Sequence, residues 1–191
     1  MKLPIFYDVT LRDGSHANNH SFTSGFCSKY IEQAHKSGLK FIEIGHGNGL
    51  GGSSLQIGKL KDPDIFRSLE KYINGNKDIK FGTHVIPGLA KFSDIKNIVN
   101  KGVSIIRVAS HCSEADTTET YIEYAANCGC EVWGLLMMSH MIRPDQLARE
   151  AEKMQSYGAS RIVFLDSAGS LTPKMVKRIC TEILSVIKIP L

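Results

Sequence analysis

Strand-like and helix-like segments alternate along the whole chain, with little loop between them. The strand-like segments are short runs of Ile, Val and Phe, the composition of strands that are covered on both faces. The predicted strands are residues 4–8, 41–44, 80–85, 104–108, 131–137 and 161–165. The predicted helices are residues 23–37, 63–74, 92–101, 117–128, 143–157 and 173–187. A strand-then-helix unit repeated six times predicts an α/β fold built on a parallel sheet.

The ends of these helices carry the residues expected there. Thr23 or Ser24 can cap the first helix, and Thr172 is a capping residue placed before Pro173 at the first helical position. Glycine stands where five of the helices should stop. These glycines are Gly38, Gly75, Gly102, Gly129 and Gly158.

Two architectures contain such a sheet, an open doubly wound sheet and a (β/α)8 TIM barrel. Each predicted strand is followed directly by polar or titratable side chains. In a barrel the carboxyl ends of all strands converge on one mouth, where active sites are found, whereas an open sheet would keep the outer groups apart. These side chains are Arg12, Asp13, His16, His46, His84, His111, His140, Asp166 and Ser167. Their placement favours the barrel.

The predicted barrel is incomplete. Only six units are visible in 191 residues, whereas a barrel of this kind needs about 250. We therefore expect residues 1–191 to form a single, partial TIM-barrel domain without its seventh and eighth units. Open sheet edges would leave backbone unpaired on both flanks, so we expect self-association as a homo-oligomer, or closure by another chain.

Composition excludes several classes of function. The formal charge is +4 and the Lys and Arg residues are scattered, which predicts neither a nucleic-acid surface nor an anionic-membrane patch. No apolar run is long enough to span a bilayer, and the N-terminus has no signal-peptide pattern. Five cysteines without a Cys-x-x-Cys pair fit a reducing compartment. We therefore expect a cytoplasmic protein.

The loop after the first predicted strand has the closest grouping of side chains able to act in catalysis or metal binding. Arg12, Asp13 and His16 fall within five residues, and Gly14 allows a sharp turn between them. A carboxylate is a hard oxygen ligand for a divalent cation, a guanidinium can stabilise an oxyanion, and histidine accepts protons near neutral pH. Without further context, Asp13 beside Arg12 is equally well explained as a surface ion pair.

Six motifs along the chain together resemble one enzyme family. The run Asp8-Val9-Thr10-Leu11-Arg12-Asp13-Gly14-Ser15-His16-Ala17 resembles the opening of the 4-hydroxy-2-oxovalerate aldolases. Its Thr-Leu-Arg-Asp-Gly core is shared with the metal-dependent barrel lyases and synthases related to hydroxymethylglutaryl-CoA lyase, and Ser-His-Ala is similar to the aldolase branch. Further motifs of this kind occur at residues 43–54, 87–88, 107–112, 137–141 and 166–169.

The resemblance implies a class II pyruvate aldolase, which cleaves 4-hydroxy-2-oxo acids to pyruvate and an aldehyde with Mn²⁺ or another divalent cation such as Co²⁺. By resemblance, Asp13 is a metal ligand, Arg12 binds substrate and stabilises the pyruvate enolate, and His16 is the catalytic base. Ser167, in the loop after the sixth strand, is expected to contact substrate. With the other motifs present, this interpretation of Arg12 and Asp13 is preferred to a surface ion pair.

The sequence also departs from the family pattern. The family's other two metal ligands form a His-x-His pair after the seventh strand, and no such pair occurs here. The helical C-terminal region that contacts an acylating aldehyde dehydrogenase in the family is also absent. The alternative hypothesis is therefore a truncated, inactive partial barrel that acts as an assembly or interaction element.

Two further features have simpler explanations. His46, His84, His111 and His140 are expected to make structural hydrogen bonds to loop backbone, and we assign them no catalytic role. Residues 47–52 have the glycine spacing of a dinucleotide-binding loop and follow a strand, but no long helix begins directly after them. We therefore interpret this loop as a mobile lid beside the substrate.

Overall fold

The computed structural model describes residues 5–55, 64–66, 70, 72, 75 and 78–191. Its sheet is parallel and contains five strands in this part of the chain, ordered β1-β2-β3-β4-β5. This order follows the sequence without the reversal that defines a doubly wound sheet. The α/β class and the strand order of an incomplete barrel are thus confirmed. The strands are β1 (Phe41–Glu43), β2 (Lys80–Val85), β3 (Ile105–His111), β4 (Glu131–Met137) and β5 (Arg161–Phe164).

The helices fall close to their predicted positions. The predicted helix at residues 63–74 lies mostly outside the described residues, although 64–66, 70 and 72 are helical. The α-helices are α1 (Ser24–Lys36), α2 (Gly52–Leu55), α3 (Phe92–Asn100), α4 (Glu119–Asn127), α5 (Pro144–Ser156) and α6 (Pro173–Val186). Short 3₁₀ helices cover Asp13–Asn18, Ala115–Thr118 and Ser139–Met141. Among the described residues, we find no helix with the length and apolar character needed to cross a membrane.

The chain divides into two compact units, Met1–Ile105 and Ile106–Leu191. In the first unit, β1 and β2 pair in parallel with Ile42 opposite Phe81, and both side chains are buried. Helix α1 starts at a Thr23 cap, whose hydroxyl accepts the backbone N–H of Phe26, as predicted. These elements form the support on which the first loop is held.

The predicted first strand is largely wrong. Of residues 5–8, only Asp8 joins the sheet, through a single parallel bridge to Ile42. Ile5 and Phe6 are 50% and 73% exposed, so the apolar run at 3–7 is not a buried strand where it is described. An apolar run is buried only where helices or another sheet pack against its faces. A single bridge pairs the backbone at Asp8 and buries no apolar side chains.

The second unit is built on β4 and β5, which pair in parallel with Gly134 opposite Ile162. Helix α5 packs against α6 and against β4. The predicted cap of α6 is confirmed, because the Thr172 hydroxyl accepts the backbone N–H of Met175 at 3.3 Å. Beyond α6 the chain returns to the sheet, where the carbonyl of Pro190 accepts the N–H of Ile162 at 3.0 Å.

Two adjacent residues of α6 test this packing. Ile183 is fully buried, whereas Leu184 is 56% exposed. We expect Ile183→Ala to lower the free energy of unfolding by about 2–4 kcal/mol, because it removes buried methyl groups and leaves a cavity. Leu184→Ala should change it by less than about 0.5 kcal/mol. Urea unfolding followed by circular dichroism measures both, and equal losses would contradict the assigned face of the helix.

Candidate active site

The structure brings Arg12, Asp13 and His16 together in the first unit, on and just before a single 3₁₀ helix. The chain enters this helix from Asp8, whose carboxylate accepts the N–H of Thr10 at 2.9 Å and the hydroxyl of Tyr30 at 2.8 Å. Both oxygens of Asp8 are therefore used to hold the turn. The backbone of the first loop is fixed at its origin.

Arg12 is held by a buried carboxylate at the end of β1. Its Nε donates to Oε2 of Glu43 at 2.7 Å, and the two side chains are only 12% and 0% exposed. Its Nη1 donates to Oδ1 of Asp13 at 2.9 Å and to the carbonyl of Gly47 at 3.3 Å. No hydrogen bond within the described part of the chain uses Nη2. The guanidinium is thus fixed in place with two N–H donors still available.

Asp13 presents an open carboxylate beside this guanidinium. Its side chain is 59% exposed, and Oδ1 is the oxygen that accepts from Arg12. Oδ2 has no partner in the described ranges, so it can serve as a hard oxygen ligand. The described residues nevertheless contain no group of three or more His, Cys, Asp or Glu side chains that could hold a metal ion. By themselves, the described residues do not form a complete metal site.

His16 is exposed, and its ring lies against that of His20. The two ring centroids are 4.8 Å apart in a T-shaped arrangement. His20 in turn stacks on His46, with centroids 4.3 Å apart and planes 20° from parallel. Three imidazoles therefore follow one another from the surface inward.

The glycines of the loop at 47–52 are explained by close packing. A Cβ on Gly47 would lie 2.7 Å from Nδ1 of His20 and 2.7 Å from Oγ of Ser15, and a Cβ on Gly52 would lie 2.6 Å from Nδ1 of His46. Gly49 and Gly51 have φ of +94° and +87°, a region that favours glycine. The N–H of Leu50 also donates to the carbonyl of His84 at 2.8 Å. Such packing argues against the mobile lid expected for this loop.

A hydrogen bond to loop backbone, as predicted for the other histidines, is found at His46, whereas His111 contacts a side chain. Nδ1 of His46 accepts the N–H of Asn48 at 3.3 Å. Nδ1 of His111 lies 2.8 Å from the hydroxyl of Ser113. Ser167 belongs to the second unit, where its exposed hydroxyl accepts the N–H of Met138 at 3.0 Å. Its hydroxyl proton is not used in this bond.

Sequence reasoning missed the roles of Glu43 and His20. A carboxylate inside a short strand of otherwise buried apolar residues is a signal for a buried ion pair, because Glu is rarely buried without a partner. His20 lies beyond the end of the 3₁₀ helix and meets His16 through a left-handed backbone. Only the signal for Glu43 was present in the sequence.

Comparison with known proteins identifies the family. The model of the HMGL-like family matches residues 3–191. The chain belongs to the HMGL-like family. It is 41% identical over 189 residues to a 4-hydroxy-2-oxovalerate aldolase from Pectobacterium atrosepticum, covering 97% of this chain and 54% of that protein. It is 42% identical over 175 residues to the 4-hydroxy-2-oxovalerate aldolase of Spirochaeta aurantia, covering 91% and 51%.

Solved structures agree on the fold of this HMGL-like chain. Hydroxymethylglutaryl-CoA lyase from Pseudomonas aeruginosa superposes with a TM-score of 0.74 at 16% identity, covering 95% of this chain and 63% of that one. Identity this low shows the fold alone. The chain spans about half the length of the curated relatives it matches. Aldolases of the HMGL-like family generally depend on a divalent metal.

The pairing of Arg12 with Glu43 can be tested against an exposed ion pair in the same unit. We expect Glu43→Gln to lower the free energy of unfolding by about 1–3 kcal/mol, because it removes the buried anion of a largely buried guanidinium and leaves it only the exposed carboxylate of Asp13. Glu32→Gln removes the exposed pair with Lys36 and should cost less than about 0.5 kcal/mol. Chemical denaturation of the two variants measures the difference, and similar costs would contradict a structural role for Glu43.

The pH dependence of stability tests the environment of His20. Burial, and the charge of a protonated His16, lower the pKa of His20 below its ordinary value of 6.5. The unfolded chain then binds this proton more readily than the folded chain, so the contribution to stability is present above about pH 6.5 and is lost as the pH falls. Between about pH 7.5 and about pH 5.5, urea unfolding should show a larger loss in the wild type than in His20→Asn. Equal losses would contradict the lowered pKa.

Proposed function

We propose that this chain carries the first part of a divalent-metal-dependent aldolase domain that cleaves 4-hydroxy-2-oxo acids, of the 4-hydroxy-2-oxovalerate type, to pyruvate and an aldehyde. The observation that carries the proposal is the Arg12 guanidinium, which is fixed by Glu43 yet keeps Nη2 unused in the described part of the chain, beside the open carboxylate of Asp13. The names of the relatives at 41–42% identity support the same reaction.

The proposed cleavage breaks one carbon–carbon bond and transfers, in net, one proton from oxygen to carbon. His16 takes the proton of the 4-hydroxyl, the C4–O bond becomes a carbonyl, and the bond between C3 and C4 breaks. The electron pair of that bond forms the enolate of pyruvate, whose C3 then takes up a proton from solvent, and the protonated His16 returns its proton to solvent. The Nη2 donors of Arg12 meet the enolate oxygen as its charge develops, without reorganising, because Glu43 already holds the guanidinium.

The metal requirement places a limit on this chain alone. A divalent cation such as Mn²⁺ or Co²⁺, when bound, supplies Lewis acidity at the 2-keto oxygen. Asp13 is the ligand we assign to it, and its remaining ligands would come from outside the described residues. Ser167 is proposed to donate its unused hydroxyl proton to the substrate. In a longer protein, the aldehyde product would pass to an acylating aldehyde dehydrogenase.

A second candidate function follows from that same limit. Because the described residues supply one metal ligand and no cluster of three, the chain also fits an inactive partial barrel that serves in assembly. The two candidates differ in whether a catalytic cation binds at Asp13.

Pyruvate release from 4-hydroxy-2-oxopentanoate, with and without Mn²⁺, distinguishes the candidates. We expect turnover that depends on Mn²⁺ and is abolished in Asp13→Ala. Absence of turnover from the wild-type chain at saturating Mn²⁺ would contradict activity of this chain by itself and would favour the second candidate.

Arg12→Lys tests the role of the guanidinium. Lysine keeps the positive charge but loses the planar fork that binds Glu43 and the enolate together, so we expect kcat to fall by about 10²–10³-fold. Arg149→Lys, at an exposed surface pair with Asp145, is the matched control and should retain wild-type turnover. Steady-state kinetics of both variants measure the effect. Unchanged turnover in Arg12→Lys would contradict the role assigned to Arg12.

A further inference from the structure

We propose that His20 is a positioning residue, whose ring is fixed to the protein and holds the imidazole of His16 in the orientation that proton transfer requires. This proposal rests on the proposed function, in which His16 is the base. It concerns a residue with no role in the cleavage described above. Four independent features of the first unit support it.

A hydrogen-bond chain connects His20 to the backbone of Arg12. Oγ of Ser15 lies 2.7 Å from the carbonyl of Arg12 and 2.9 Å from Nδ1 of His20. A carbonyl can only accept, so the single hydroxyl proton of Ser15 is donated to Arg12, and the oxygen must accept from His20. The proton of neutral His20 therefore resides on Nδ1. Ser15 thus links His20, the neighbour of the proposed base His16, to Arg12, the residue proposed to stabilise the enolate.

The other face of the His20 ring is packed. It stacks on His46, whose Nδ1 is held by the N–H of Asn48. Gly47 leaves no room between the loop and the His20 ring, because a Cβ there would overlap it. The cavity lined by His20 and His46 has about 20 Å³ of space, room for about one water molecule. The ring of His20 is therefore packed against His46 and against the loop at Gly47.

His16, in contrast, depends on His20. It is exposed, and within the described ranges the ring contact with His20 is its only side-chain interaction. An exposed imidazole without a partner samples several rotamers, and a misplaced base loses catalytic rate. The fixed ring of His20 limits that freedom.

The backbone adopts an unfavourable conformation to place His20 beside His16. Asn19 and His20 both have φ of +54°, the left-handed region that residues other than glycine rarely adopt. This reversal directs the N–H of His20 back to the carbonyl of Ser15 at 2.8 Å. Two consecutive left-handed residues are unfavourable, and such strain persists where surrounding contacts enforce it.

His20 is not the base in this arrangement. Its Nδ1 proton is donated to Ser15, and burial together with the charge of His16 lowers its pKa, which disfavours taking up a second proton. The side chain of His16 makes no such hydrogen bond among the described residues. The two histidines thus have separable roles that substitution can distinguish.

Two substitutions separate the ring of His20 from its hydrogen bond. His20→Phe keeps a ring that can stack on His46 and contact His16, but it cannot donate to Ser15. His20→Asn keeps a donor for Ser15 but has no ring. We would record the ring-proton NMR signals of His16 in both variants of the full chain, with His35 on α1 as the internal reference.

We expect the His16 signals of the wild type to be displaced from those of His35 by the ring current of His20. The displacement should remain in His20→Phe and disappear in His20→Asn. In turnover, His20→Asn should lower kcat by about tenfold to a hundredfold with KM changed less than about twofold, and His20→Phe should retain most of kcat. A purely structural role would not produce this division between kcat and KM.

The outcomes are distinguishable from failure of the proposed function. A wild-type chain without turnover would contradict activity of this chain by itself, and the NMR comparison would still decide whether His20 orients His16. Unchanged His16 signals in His20→Asn would overturn the positioning role. Loss of turnover in both His20 variants to the level of His16→Asn, with unchanged His16 signals, would make His20 the base and would also overturn it.

Discussion

The ion pair between Arg12 and Glu43 is the constraint on which the rest of the candidate site depends. Glu43 is fully buried at the end of β1, and a carboxylate in that position is tolerated only with a charged, hydrogen-bonded partner. Arg12 supplies such a partner by reaching inward from the first loop, just before the 3₁₀ helix begins. Asp13 and Ser15, and through Ser15 the ring of His20, are joined to Arg12 by hydrogen bonds. The buried ion pair thus anchors the residues around which the proposed site is built.

The alternation of short apolar segments with capped helices was enough to predict the fold. Strand order follows chain order, and the Thr172 cap lies where the sequence placed it. The first strand failed because apolar composition indicates a preference for burial and not the presence of a covering layer. Ile5 and Phe6 have the right composition, yet half or more of each side chain stays exposed. Residues 63–74 lie mostly beyond what the structure describes, so that predicted helix stays a prediction.

The candidate site was predictable where it depends on local sequence and not where it depends on the path of the backbone. Arg12, Asp13 and His16 are adjacent in sequence, and the structure keeps them together. The contact between His16 and His20 depends on two left-handed residues in succession. The residue types Asn and His do not by themselves predict that both positions adopt this conformation. The packing of Gly47 on His20 joins loops separated by 27 positions in the chain. No pattern read along one segment contains that information.

The two left-handed residues, Asn19 and His20, differ in what a substitution to glycine would change. Glycine at either position would relieve about 1 kcal/mol of backbone strain, although at position 20 the hydrogen bond to Ser15 and the stacking on His46 would be lost with the ring. At Asn19 that gain would be free of functional consequence, since no side-chain hydrogen bond of Asn19 is found among the described residues. At His20 the same replacement would delete the ring that faces His16. At position 19, relief of backbone strain does not conflict with the proposed chemistry, whereas at position 20 it does. Relatives should therefore vary more freely at position 19 than at position 20.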